Sequence, residues 1–138
     1  MRYQYSDGGR VAAGYKGYAG DCVTRAIAIA SQMSYQDAYD LVSDNCKRRP
    51  RLRGFSSRTG VHHQITRDIL SLLGWGWHPT MSIGSGCKVH LRDGELPMGR
   101  IIVKLSAHIC AVIDGVIHDA HDPRREGTRC VYGYWSKE

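Results

Sequence analysis

The sequence predicts an α+β domain, on three observations. Apolar residues recur at helical spacing in three segments of the first half, and short β-rich runs punctuated by Gly, Pro and Asp-Gly fill the second. Strands do not alternate with helices, which argues against a parallel doubly wound sheet. The chain has 138 residues, 42% of them hydrophobic and 23% charged, a composition that excludes disorder, collagen-like repeats and a disulfide-dense mini-protein. One domain over residues 1–138 is expected.

Residues 1–20 are rich in Gly and Tyr and poor in aliphatics, and read as an irregular lead-in. Asp21 stands where an N-cap is wanted, and Val23, Ala26, Ile27 and Ala30 follow at i, i+3, i+4, i+7, which predicts a helix buried in the domain centre with Cys22 in its first turn. Ser34 with Asp37 three residues on resembles a capping box and opens a second helix, its inward stripe Ala38, Tyr39, Leu41 and Val42, ending near Cys46. Thr59 is the expected cap of a third, carrying Val61, Ile65, Ile69, Leu72 and Leu73 and closed by Gly74. Strands are expected over 88–91, 100–105, 108–113, 116–121 and 130–135, forming a C-terminal antiparallel sheet under the helices.

Charge and cysteine usage bound the function classes. Lys and Arg exceed Asp and Glu by 19 to 13, and five cations fall within Lys47, Arg48, Arg49, Arg51 and Arg53. Such a run is a solvated loop with a salt-sensitive attraction for nucleic acid or an acidic protein, and it lacks the interleaved aromatics of a single-strand platform. No stretch approaches the roughly 18 apolar residues of a membrane span, so no membrane partner is expected. The first residues lack the apolar core of a signal peptide, which predicts a cytoplasmic protein. Cys22, Cys46, Cys87, Cys110 and Cys130 are odd in number, widely spaced and without a CxxC pair, so they read as reduced thiols.

Asp114-Gly115 between two apolar runs predicts a type I′ hairpin. If Ile113 faces Val116, then Cys110 faces Asp119 and His108 faces His121, and the period of two puts all four on one face. His108 and Asp119 become diagonal neighbours, close enough for the carboxylate to hold one imidazole tautomer. Asp122 replaces Asp119 in that role only if a bulge shifts the strand. A thiol in the first turn of a helix sits in the field of free N–H groups that stabilises its anion. Cys22, His108 and Asp119 therefore supply a nucleophile, a base and an orienting carboxylate. Tyr18, Gly20 and Asp21 beside the nucleophile, with Trp75 and Trp77 at a spacing of two, are expected to border the substrate.

Gly20-Asp21-Cys22 opening a central helix, with a His at the start of one strand and an Asp on the next, resembles the papain-like cysteine peptidase fold in its compact, C39-peptidase-like form. The segments 21–30 and 108–119 are also similar to those of small phage and prophage proteins. The resemblance covers residues 15–138. It implies a cysteine peptidase, or a related thiol acyl hydrolase or transferase, acting on a peptide or isopeptide bond of a protein or peptide substrate without a cofactor. In this family a Gln commonly precedes the Cys by six residues as an oxyanion donor. Lys16 stands there, which leaves the backbone N–H groups of Cys22 and the helix start. Two other classes fit parts of the sequence. One is a non-catalytic binding module, a phage protein that meets a host protein or nucleic acid through the basic loop. The other is a metal-dependent enzyme on the two-His, one-carboxylate face of His108, Asp119 and His121.

Overall fold

In the computed structural model, which describes residues 1–137, the element order is β1(Arg2–Tyr5), α1(Cys22–Ser31), α2(Tyr35–Lys47), α3(His63–Leu72), β2(Trp75–Pro79), β3(Arg100–Leu105), β4(His108–Ile113), β5(Val116–Asp119) and β6(Gly133–Lys137). The class is α+β. The sheet is six-stranded in the order β1-β5-β4-β3-β6-β2. It is mixed rather than wholly antiparallel, because β1 lies parallel to β5 at one edge.

The hairpin register agrees with the Asp-Gly reading. Ile113 pairs with Val116, Val112 with Ile117 and Ala111 with His118. Asp114 and Gly115 both take positive φ, 49° and 77°, as a type I′ turn requires. Strand alternation then sorts the core into two layers. Ile102, Ile109, Ala111 and Trp135 face the helices and pack on Val23, Ile27, Val42, Ile65 and Ile69. Ile101, Val103, Cys110, Val112 and Ile117 face the other way, under Leu91 and Val131.

Helix α1 is the buried central helix, with Ile27 fully enclosed, and it packs across β4. Gln32 ends it in the left-handed region, its N–H donating to the Ala28 and Ile29 carbonyls. In α2 the Ser34 hydroxyl caps as expected, accepting from the Asp37 N–H at 3.0 Å. The third helix starts later than expected. His62, not Thr59, is its cap, with Nδ1 accepting from the Gln64 N–H at 3.1 Å, while Thr59 is held back in a small turn against Ser56.

Four further expectations are corrected. The lead-in over 1–20 contains a true strand, β1, whose side chains are mostly exposed because it is an edge. Residues 88–91 form only a bridge, His90 to Cys130, and not a strand. The last strand begins at Gly133 rather than Cys130. A Cβ on Gly133 would stand inside the Trp77 indole, so only glycine lets Trp77 lie over β6. Cys87 and Cys130, read as reduced thiols, are joined in a disulfide with Cα atoms 5.8 Å apart, because the bridge at His90 brings two distant loops together. Cys22, Cys46 and Cys110 are free. Alkylation of the denatured, unreduced protein should therefore add two fewer adducts by intact mass than alkylation after reduction. Opening this 43-residue link should cost about 4 kcal/mol through loop-closure entropy.

Candidate active site

Three elements converge at the open end of the β4–β5 hairpin. His108 opens β4, Asp119 closes β5, and Cys22 opens α1, which packs across β4. His108 Nε2 lies 2.6 Å from Asp119 Oδ2, and Cys22 stands beside His108, near enough for the imidazole to act on its thiol. With Nε2 taken by the carboxylate, Nδ1 is the nitrogen left for the sulfur.

The electrostatics follow from those contacts. Burial alone would raise the Cys22 thiol, but the His108 hydrogen bond and charge outweigh it and hold its pKa below the ordinary value. Burial would likewise depress the His108 imidazolium, but hydrogen bonds and charges from Asp119 and Cys22 push its pKa up to about 9. For Asp119, burial opposes ionisation, and His108, Arg25 and the Ala120 N–H together hold its carboxyl below the usual range. All three shifts favour one state, a thiolate facing an imidazolium. Cys110 shares the strand with His108 but is enclosed in the layer away from the helices, where burial pushes its thiol up. It has no access to a substrate.

Asp119 is anchored more firmly than the hairpin alone requires. Its Oδ1 accepts from the Ala120 N–H at 2.7 Å and from Arg25 at 3.2 Å. Its carbonyl accepts from the Tyr3 hydroxyl at 3.0 Å and the Ser6 N–H at 2.9 Å, so β1 buttresses it from the far side. Asp122, the alternative orienter, is exposed and paired instead with Arg124 at 2.7 Å. No bulge intervenes, and Asp119 is the carboxylate on His108.

Asp21 departs from its expected role. It holds the N-cap position of α1 but makes no side-chain cap. Its carboxylate turns inward to Arg25 and to the Tyr35 hydroxyl, which donates at 2.5 Å. Arg10 in turn donates to the Tyr35 oxygen at 3.1 Å and to the Lys16 carbonyl at 3.1 Å. A buried polar line thus runs from Arg10 through Tyr35, Asp21 and Arg25 to Asp119. Sequence reasoning missed Arg25, Tyr35 and Arg10. The one available signal was the i,i+4 spacing of Asp21 and Arg25. Because Asp21 is drawn away, the first N–H groups of α1 keep no side-chain acceptor at the mouth of the site.

The site opens on a cleft of about 1600 Å³ lined by Cys22, His108, Tyr18, Gly20, Asp21, Trp77 and Trp135 among others. Tyr18 is 91% exposed at its rim. Trp77 and Trp135 pack at 4.4 Å between centroids, tilted by 50°, and form an apolar wall. Trp75, expected beside Trp77 at the substrate, lies in the core with its indole N–H donating to Ser31 at 3.3 Å. Both tryptophans share the helix-facing side of β2, but a two-residue step along the strand carries Trp75 about 6.6–6.8 Å toward the C-terminal end of α1, away from the cleft.

His121 lies near His108, ring centroids 5.0 Å apart, and the ligand atoms of His108, Asp119 and His121 fall within 4.8 Å of one another. Two donors bound at about 2.0–2.2 Å to one ion stand roughly 3 Å apart, whereas 2.6 Å between His108 and Asp119 is a hydrogen-bond separation. With the ring held by that carboxylate and Cys22 beside it, the arrangement fits an oriented imidazole better than an ion site. Lys47 at the end of α2 and Arg48, Arg49, Arg51 and Arg53 on the loop after it are all exposed, outside the cleft lining, with Leu52 turned inward and Arg49 paired with Asp68. Among the described residues no helix is long and apolar enough to cross a membrane. In comparisons with known proteins, no family model, no curated protein and no solved structure matches the chain.

Proposed function

We propose that this chain is a papain-like thiol hydrolase, of the compact C39-peptidase-like kind, that cleaves a peptide or isopeptide bond through Cys22, His108 and Asp119. The observation that carries the reading is the line from thiol to imidazole to buried carboxylate at the first turn of a central helix, facing an open cleft.

The chemistry balances on these groups alone. Cys22 Sγ, as thiolate, attacks the substrate carbonyl carbon, and the carbonyl electron pair moves to oxygen, which accepts from the first N–H groups of α1. On collapse, the C–N bond breaks and the His108 imidazolium delivers its proton to the leaving amine. Neutral His108 then takes a proton from water, whose oxygen attacks the thioester, releasing the acid and restoring thiolate and imidazolium. An amine in place of water makes the same acyl-enzyme a transferase. Asp119 holds the ring so that one nitrogen faces sulfur throughout.

With p-nitrophenyl acetate, wild type should release a stoichiometric burst of p-nitrophenolate as Cys22 gains an acetyl group, then turn over slowly. Cys22→Ala should show neither phase, and Cys46→Ala both. A burst surviving in Cys22→Ala removes the proposal. The exposed basic loop favours a second reading, a non-catalytic module that binds nucleic acid or an acidic protein. A wild-type chain without any burst, but with a steep salt dependence of binding to duplex DNA, would select that reading.

A further inference from the structure

The cleft beside Cys22 is lined on its β3–α3 side by Lys104, His63 and Arg67 around Trp77. Lys104 is the cross-strand partner of Ile109, the residue after His108, and lines the same cleft as Cys22 and His108. It is half-buried and, among the described residues, pairs with no carboxylate. Arg67 lies over the Trp77 ring at 5.8 Å and has no carboxylate partner among them either. The acidic groups that line the cleft are committed elsewhere. Asp21 is held by Arg25 and Tyr35, and Asp7 accepts the Gly9 and Val11 N–H groups at 2.9 and 3.0 Å. On the β3–α3 side of the cleft the charged side chains, Lys104 and Arg67, are both cationic. Consistent with that field, burial and then His62, Arg67 and Lys104 depress the pKa of His63. A half-buried ammonium without a counterion is costly to keep, and an incoming carboxylate relieves the cost.

Resting on the thiol-hydrolase reading, we propose that this cleft selects substrates bearing a carboxylate close to the scissile bond, with Lys104 as the specificity-determining cation and Arg67 reinforcing it at the rim. Iodoacetate and iodoacetamide form the same C–S bond and differ in charge, so the ratio of their rates at Cys22, read by mass spectrometry on the full chain, reports the anion site directly. Any change in thiolate fraction affects both reagents equally and cancels in the ratio. Lys104→Met should lower the iodoacetate-to-iodoacetamide ratio about five- to tenfold, the size of one unit charge at several Å in a partly hydrated cleft. Lys104→Arg should restore it, and Arg67→Gln, at the exposed rim, should lower it about twofold.

A ratio unmoved by either neutral substitution overturns the anion site while leaving the nucleophile intact. A wild-type Cys22 that reacts with neither reagent overturns the nucleophile and this proposal with it. Two peptide pools separate the sources of the carboxylate. Amidated peptides with internal Asp or Glu report a side chain, and otherwise neutral peptides with a free C-terminus report the chain end. Equal cleavage of a neutral amidated pool overturns the proposal.

Discussion

At pH 6, replacing His108 with Ala is expected to slow alkylation of Cys22 at least about 10²-fold, with the fold retained. An unassisted thiol of pKa ~8.5 is less than about 1% thiolate at that pH, and without the imidazole nothing offsets the burial that raises Cys22. In wild type the pair is ionised between the lowered Cys22 value and the raised His108 value of about 9, so the acyl-transfer rate should hold a plateau and fall as pH passes about 9, where the imidazolium loses its proton. Stability follows the same linkage. His108, raised in the folded state, contributes stability that is complete below its unfolded value near 6.5 and lost as pH rises through about 9. Asp119, lowered in the folded state, contributes stability present above its unfolded value and lost as pH falls through the folded one. Asp119→Asn should therefore move the upper limb of the rate profile down from about 9 toward the ordinary imidazole range. Equal Cys22 reactivity at pH 6 in wild type and His108→Ala would show that the two side chains do not form an ion pair.

The parts of this site that were legible in the sequence are those set by local chemistry. Asp114-Gly115 admits one tight turn, that turn sets the register, and the register puts His108 and Asp119 at the same end of the hairpin. The apolar stripe of α1 requires burial, which carries Cys22 inward to the sheet. What stayed hidden depends on partners remote in sequence. Arg2–Tyr5 has no aliphatic pattern, and it becomes a strand only because β5 presents an open edge to it. The Cys87–Cys130 link depends on two loops meeting at His90, which spacing alone does not reveal. Trp75 and Trp77 share a face as the period of two demands, but their environments diverge along β2, one under the helices and one in the cleft. Asp21 looked like a cap because an aspartate before a helix usually is one. Here a buried guanidinium and a tyrosine hydroxyl compete for the same carboxylate and win.

Replacing Arg25 with Met is expected to cost about 3–5 kcal/mol at neutral pH, a loss set by what it leaves behind rather than by the contacts it removes. Arg25 is 8% exposed, with one nitrogen on Asp21 and the other on Asp119 at 3.2 Å, and both aspartates are 2% exposed. Take the cation away and two buried anions face each other across an apolar side chain. Their surviving partners are the Tyr35 hydroxyl on one, and the Ala120 N–H and His108 on the other. The pair is not free in wild type either, since Arg25 Nε is buried without an acceptor, so the network is a poor source of net stability and an expensive one to break halfway. Lysine should recover only part of the loss, because a single ammonium lacks the planar fork that reaches two carboxylates at once. The pH dependence gives the sharper test. Protonation neutralises the stranded Asp119 carboxylate, which Arg25 helps hold below the usual range, so the deficit of Arg25→Met in urea unfolding should shrink from pH 7 to pH 4. A deficit below about 1 kcal/mol at pH 7, or one that does not narrow in acid, would mean that water reaches these carboxylates and that Arg25 is not what holds Asp119 against His108.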